Sequence, residues 1–467
     1  MLRPGQFERR IGATGSVSLL ALLLFFAALA YWQVFRTDLE RDSRNPRVLA
    51  SFKDPSRGSL LDRDGNELAI SLPSGARRYT DASVAHVVGY LDARYGSQGA
   101  ELAFNRELTG ATGGGGWSAA VDAEFRRTAR RGLDVRLTID PKVQAAAASA
   151  LGARRGAIVA IDPRNGEVLA MVSVPTYDPG ALGKDGEALL NDPSSPLLNR
   201  ATQGEYPPGS TFKTVTAASA LENGVITPQT TVECHGQKVF DGFPVSCANV
   251  VQGEGTYPFK SAFTFSVNAI FAEVGVRLGW PALLETASRF GFGSPLPFTI
   301  ETAAAQVVPP GEPLTRVLLA NTAFGQGRLL ATPLQMAVIA ATIANDGVLL
   351  SPHLGLAAMD GADTVAKLEE PGRRRVIGPD VAATMRDFMV SVVDAGQASG
   401  VAVPGVKVGG KTGTAETGSG TSHAWFIAFA PAEKPVIALA VIVENGGRGG
   451  EVASPIAGAV IRAALAR

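Results

Sequence analysis

The sequence predicts an α+β fold, with one mostly antiparallel sheet flanked by helices and strands drawn from both ends of a long domain. Three observations carry this. Residues 157–161 and 168–174 are β-rich runs joined by Asp162-Pro163-Arg164-Asn165-Gly166, whose turn residues signal a hairpin. Three more strand-like runs, 406–414, 423–429 and 436–443, come near the end of the chain. Helical stretches fill the middle, among them 269–278 and 333–345, the second stopped at Asp346-Gly347. Strands at both ends with helices between are expected to close into one sheet, the first hairpin pairing with the last three strands.

A chain of 467 residues has room for two or three domains, and 46% hydrophobic content supplies a core. The first element expected is a membrane anchor at 15–35. No charged residue occurs from Ile11 to Phe35, and 17–35 is almost wholly apolar. Such a run is close to the ~20 residues a helix needs to cross a bilayer core. Tyr31 and Trp32 fall where an interfacial aromatic belt would lie. Ala28-Leu29-Ala30 is an A-x-A-like cleavage site, so a signal peptide is the alternative; the length of the apolar run favours an uncleaved anchor. Arginines stand on both sides of the segment (Arg3, Arg9 and Arg10 before; Arg36, Arg41, Arg44 and Arg47 after), so positive-inside counting leaves its orientation open.

Residues 36–134 form a polar, Gly-punctuated region with short strand-like pieces and a glycine loop at 113–116 before Trp117. No catalytic cluster is visible there. The segment 134–141 reads as an extended strand ending at the start of an Ala-rich helix, 142–151, and a closing helix is expected at 455–466. The division expected is a cytoplasmic tail at 1–14, the anchor at 15–35, a smaller domain at 36–134 and a large domain at 135–467.

Lys plus Arg equal Asp plus Glu at 43 each, so charge argues for no nucleic-acid partner. The four histidines (His86, His235, His353, His423) are scattered and the cysteines number two, which points to no metal and no cofactor.

The most informative run is Tyr206-Pro207-Pro208-Gly209-Ser210-Thr211-Phe212-Lys213. Its prolines and glycine can open a helix but not continue one, and Val215, Ala217, Ala218, Ala220 and Leu221 after it read as helical. Ser210 then falls at a helix N-terminus with Lys213 at i+3 on the same face. An amine there can take the serine proton, and N–H groups at a helix start suit a developing oxyanion. Alone, the pattern equally describes an N-capping serine and a surface lysine.

Ser266-Val267-Asn268 precedes a helix with apolar spacing at Ile270, Phe271 and Val274, so the serine and asparagine can converge only from a turn. By itself it reads as an ordinary N-cap. Lys411-Thr412-Gly413-Thr414 lies in a strand-like run, where alternation puts both threonines on one face. Gly413 is expected to remove a side chain that would block a ligand backbone. Residues 405–412 also match the P-loop pattern, but Gly413, Gly418, Gly420 and another strand follow where a phosphate-binding helix is required.

Taken in order, S-x-x-K, S-x-N and K-T-G resemble the triple signature of the penicillin-binding and serine β-lactamase superfamily. The resemblance narrows to the class B penicillin-binding proteins, of the short penicillin-binding protein A type. It extends over essentially the whole chain. Supporting runs are RGSLLDRDGNELA at 57–69, GSQGAELAFNRELTG at 96–110, LTID at 137–140, AIDPRNGEVLAMVSVPTYDP at 160–179, FGQGRLLATPLQMA at 324–337, KTGTAE at 411–416 and HAWFIAFAP at 423–431. The short Gly-rich loop at 417–422 departs from the family pattern, and acceptor contacts there do not carry over.

The resemblance implies a serine β-lactamase/transpeptidase-like domain with a helical subdomain at 135–467, on a pedestal (dimerisation-type) domain at 36–134. It implies a peptidoglycan D,D-transpeptidase that crosslinks stem peptides ending in D-Ala-D-Ala. Ser210 would be the nucleophile, Lys213 its base and Ser266 a proton relay. Asn268 would hold the donor amide. Lys411 would supply a second cation, Thr412 and Thr414 would bind the terminal carboxylate, and the N–H groups of Ser210 and Thr414 would form the oxyanion hole. β-Lactams would trap Ser210 covalently. The catalytic domain would be extracytoplasmic on a single-pass anchor, with a SEDS-type membrane glycosyltransferase as partner. The same domain could instead serve a β-lactam sensor or hydrolase, or the chain could be a scaffold for a glycosyltransferase.

Cys234 and Cys247 lie in a turn-rich run. Outside the membrane they are expected to bond and close a loop of about 14 residues, worth ~3 kcal/mol in the chain-entropy model; two unpaired thiols are the alternative.

Overall fold

Strands from the two ends of the large domain meet in a five-stranded sheet. Its order is Gly409–Ala415, His423–Ala430, Ile437–Val443, Gly156–Ile161 and Val168–Val174. Every neighbouring pair is antiparallel, so the first hairpin joins the last three strands as the sequence predicts. The structure is a computed structural model and describes residues 4–31, 56–110, 131–247, 255–418 and 420–466. The glycine loop at 113–116 and the end of the expected anchor, 32–35, lie outside those residues.

Ile437–Val443 is buried at every position, which requires cover on both faces of the sheet. Helices Gly449–Leu465 and Pro333–Ala344 both pack on the central strands, and Pro141–Leu151 lies against the closing helix. Local chemistry starts these helices. The Asp140 side chain accepts from the N–H groups of Lys142 and Val143 with Pro141 in the first turn, and Thr332 accepts from Gln335 N.

The closing helix begins at Gly449 rather than at Pro455, which sits inside it. Proline is tolerated in a first turn, which is why the sequence reads it as a start. Tertiary contact overrides that signal. A Cβ on Gly449 would stand 3.1 Å from Gly413 N, and one on Gly450 3.5 Å from Thr412 Cγ2, so the helix is threaded tightly along the edge strand.

A second, six-stranded sheet runs Asp363–Lys367, Gly355–Asp360, Asp134–Leu137, Leu60–Leu61, Glu67–Ser71 and Arg77–Tyr79. It draws strands from both sides of residue 134. Glu101 is buried at its side, accepting from Arg57 Nε at 3.0 Å and Arg77 Nε at 2.6 Å. Burial pushes the Glu101 carboxyl up, but the two guanidiniums outweigh it and hold it below the usual carboxylate range. The runs at 57–69 and 96–110 therefore hold this domain together, with Arg57 also donating to Asn105.

A helix spans Pro4–Ala30, and large apolar side chains from Val17 to Phe26 are exposed on it. Among the described residues no helix is long and apolar enough to cross a membrane, so the expected transmembrane helix is not seen there.

Candidate active site

The turn that carries Ser210 is held from several sides. Tyr206 N donates to Ala331 O at 3.0 Å and Ala331 N returns a bond to Tyr206 O at 2.9 Å. Trp425 Nε1 donates to Pro207 O at 3.0 Å, and Thr211 Oγ1 to Pro208 O at 2.7 Å. Gly209 has φ 54°, and a Cβ there would meet Thr414 O at 2.9 Å. A Cβ on Gly325 would overlap the carbonyl of Gly209. Ser210 thus lies in a short 3-10 turn, Gly209–Phe212, which leads into the helix Lys213–Glu222.

Behind the turn, Tyr206 Oη donates to Glu444 Oε1 at 2.8 Å, and Arg200 Nε donates to the same oxygen at 2.8 Å. The Tyr206 ring meets Trp425 edge-on, centroids 6.1 Å apart.

Lys213 is fully buried, and its Nζ donates to Ser266 O at 2.7 Å, Ser266 Oγ at 3.0 Å and Asn268 Oδ1 at 2.6 Å. Lys411, equally buried, donates to Ser266 Oγ at 3.0 Å and to Thr412 O at 3.3 Å. The two ammonium groups sit over Phe271 and Phe263 at 5.2 and 5.8 Å. Burial drives the Lys213 amine well below its ordinary range, and the neighbouring Lys411 charge drives it further. Burial alone lowers Lys411 to about 7. A neutral Lys213 has two N–H bonds, which the Ser266 carbonyl and Asn268 Oδ1 absorb, and its lone pair is left for a hydroxyl.

Ser266 has φ 61°, a conformation costly for a side-chain-bearing residue. Val267, not Ser266, is the N-cap of the helix Asn268–Leu278, so the hydroxyl is free of capping duty and turns to the lysines. Convergence from a turn is as the spacing requires.

A cavity of about 790 Å³ opens beside these groups. Ser210, Ser266, Asn268, Thr412 and Thr414 line it. Gly409–Ala415 is an edge strand, so one row of its backbone groups has no strand partner. That row, Ser210 and the two threonine hydroxyls together suit an extended peptide with a carboxylate. Lys213 and Lys411 stand behind this surface.

Lys411 lies within a strand followed by another strand, which leaves no phosphate-binding helix, in keeping with the refusal of a P-loop. One expectation needs correction. Gly413 is glycine because of the protein itself. A Cβ there would stand 2.8 Å from Pro208 O and 2.9 Å from Trp425 Cβ, inside the nucleophile turn, rather than in the path of a ligand.

Cys234 and Cys247 are bonded, with Cα atoms 5.9 Å apart. The bond closes the base of the hairpin Gln237–Phe240 and Phe243–Ser246, whose second strand lines the cavity. Sequence reasoning missed this wall, along with Phe324, Gln397, Glu416 and Arg448. Only the FGQG run gave a signal, since its glycine pair marks a turn. Among the described residues no cluster of His, Cys, Asp and Glu could hold a metal ion.

Residues 156–462 match the penicillin binding protein transpeptidase domain. The peptidoglycan D,D-transpeptidase PbpA of Mycolicibacterium smegmatis is 38% identical over 98% of this chain and 98% of its own length. The Mycobacterium tuberculosis protein of the same name is 37% identical at the same coverage. The structure is also similar to penicillin-binding protein A from M. tuberculosis in its ceftriaxone acyl-enzyme complex. The TM-score is 0.80 at 34% identity, over 89% of this chain and 100% of that one.

Proposed function

The chain belongs to the penicillin-binding protein transpeptidase family, and on that premise we propose that it is a class B peptidoglycan D,D-transpeptidase of the penicillin-binding protein A type. It crosslinks stem peptides in cell wall synthesis and is inhibited covalently by β-lactams. The observation that carries this is the buried Lys213 amine, held by Ser266 and Asn268 one turn from Ser210 and beside a second buried lysine.

In this reading Lys213 takes the Ser210 proton and Oγ attacks the penultimate D-Ala carbonyl. The N–H groups of Ser210 and Thr414 receive the oxyanion; one such donor is typically worth ~10²–10³ in rate. Ser266 passes the proton to the departing D-Ala amine. Asn268 has its carbonyl oxygen committed to Lys213, which leaves its NH₂ for the donor peptide. Thr412 and Thr414 bind the terminal carboxylate, and Lys411 keeps that end of the site positive. An acceptor amine then displaces Ser210 and forms the crosslink.

The protein is anchored by its N-terminal segment with the catalytic domain outside the cell membrane. The uncharged run from Ile11 to Phe35 and the exposed apolar side chains from Val17 to Phe26 support this. A SEDS-type glycosyltransferase in the same membrane is the partner expected from the class B resemblance.

Incubation with a fluorescent penicillin tests the reading. The native protein is labelled stoichiometrically and stays labelled for hours, while Ser210→Ala is not labelled. Persistent labelling of the variant would move the nucleophile elsewhere, and rapid turnover of penicillin would make the protein a hydrolase.

A further inference from the structure

A second cavity lies apart from the one that holds Ser210. It measures about 1180 Å³ and shares no lining residue with the catalytic cleft. Its walls come from distant parts of the chain. Leu102, Ala103 and Phe104 lie before residue 134, and the segment 295–302 with residues 351–353 and 368–372 lies after it. A ligand there touches both at once.

The lining has a one-sided charge. It contains the carboxylates of Glu301, Glu369 and Glu370 and no lysine or arginine. Glu369 is committed, accepting from Thr299 Oγ1 at 2.9 Å and lying 3.6 Å from His353 Nδ1. Glu301 and Glu370 are exposed and make no ion pair among the described residues. His86, deep in the wall, is held neutral because burial lowers it to about 4, so it does not offset that charge.

A separate observation concerns Thr202, which lines the cavity at 1% exposure and whose hydroxyl has no hydrogen-bond partner among the described residues. Buried hydroxyls are ordinarily paired, and a polar group entering from the cavity would complete this one. Apolar walls with a few convergent polar groups are the usual make-up of a ligand site.

We propose that this cavity is a second binding site, for a short peptide whose apolar body packs against Phe104 and Phe298 and whose lysine or arginine side chain meets Glu301 and Glu370. Occupancy bridges segments from either side of residue 134.

The test compares acetyl-Phe-Lys-amide with acetyl-Phe-norleucine-amide, which differ by an ammonium against a methyl group. Both are titrated by NMR into the full-length protein, before and after acylation with penicillin. The lysine peptide binds about threefold to fivefold tighter, the worth of a solvent-screened ion pair. That preference persists after acylation and shrinks at high salt. In Glu301→Gln/Glu370→Gln it falls to near unity. Equal binding of the two peptides, loss of binding on acylation, or an undiminished preference in the double variant would each overturn the site. Failure of penicillin to label the protein would instead count against the transpeptidase reading, because the double variant locates the peptide independently.

Discussion

Lys213 and Lys411 converge on one hydroxyl, each amine nitrogen lying 3.0 Å from Ser266 Oγ. Two amines cannot both stay charged at that separation in a buried site, so their protonation is shared between them. In the proposed mechanism acylation needs Lys213 neutral. Its rate is expected to rise with pH through the lowered value of Lys213. Lys411→Met removes a charge that depresses Lys213, so the rising limb moves to higher pH in that variant. Stopped-flow penicillin acylation across pH 5–9 measures it; a limb that does not move would refute the coupling.

The same pair sets a stability gradient. Both amines titrate lower in the folded protein than the ordinary 10.5. Between the folded and unfolded values the unfolded chain holds more protons, so stability rises with pH in that window. Above the unfolded value the burial penalty vanishes; as pH falls toward about 7, the folded value of Lys411, the penalty accumulates. The slope is at most about 1.4 kcal/mol per pH unit for each lysine. Urea denaturation at pH 7 and pH 9 should show the gradient, and Lys213→Met/Lys411→Met should flatten it.

Lys213→Ala is expected to slow acylation by roughly 10²–10⁴, the usual worth of a positioned base. The fold should survive at reduced stability, since the substitution removes three buried methylenes along with the amine. Thermal melting run beside the kinetics separates the two effects. Unchanged acylation would remove Lys213 from the reaction.

Ser266 pays for its position with a left-handed backbone. Ser266→Ala and Ser266→Gly both lose the hydroxyl and should both acylate slowly. Only glycine relieves the strain, so the Gly variant is expected to be more stable than the Ala variant by about 1 kcal/mol. Denaturant midpoints of the two compare directly, and a more stable alanine form would contradict the strain.

Opening the bond between Cys234 and Cys247 should cost ~3 kcal/mol by loop entropy. The paired Ser variant is expected to melt lower and to admit bulkier β-lactams more readily, because the Phe243–Ser246 wall loses its tie. Relative acylation rates for small and large side-chain penicillins report the second effect.

The catalytic triplets and the sheet were legible in the sequence because each rests on local chemistry. Prolines before Ser210 fix a turn, and alternation sets Thr412 and Thr414 on one face. From the sequence Asn268 is assigned to the ligand alone; that its carbonyl also accepts from Lys213 is a role that exists only after residues far apart in the chain are brought together. Gly413 was assigned to the ligand for the same reason: no local pattern reveals that Pro208 and Trp425 close over it. The start of the last helix was hidden by Pro455, where tertiary packing overrode a local start signal.

Gly325, Gly209 and the carbonyl of Thr414 are stacked main chain on main chain, with no side chain between them. Any methyl group added at Gly325 displaces the segment that presents Ser210, so this layer is closed to evolutionary tinkering. Bulk can change instead at Phe243 and Arg448, which line the cleft and are exposed, without touching that layer.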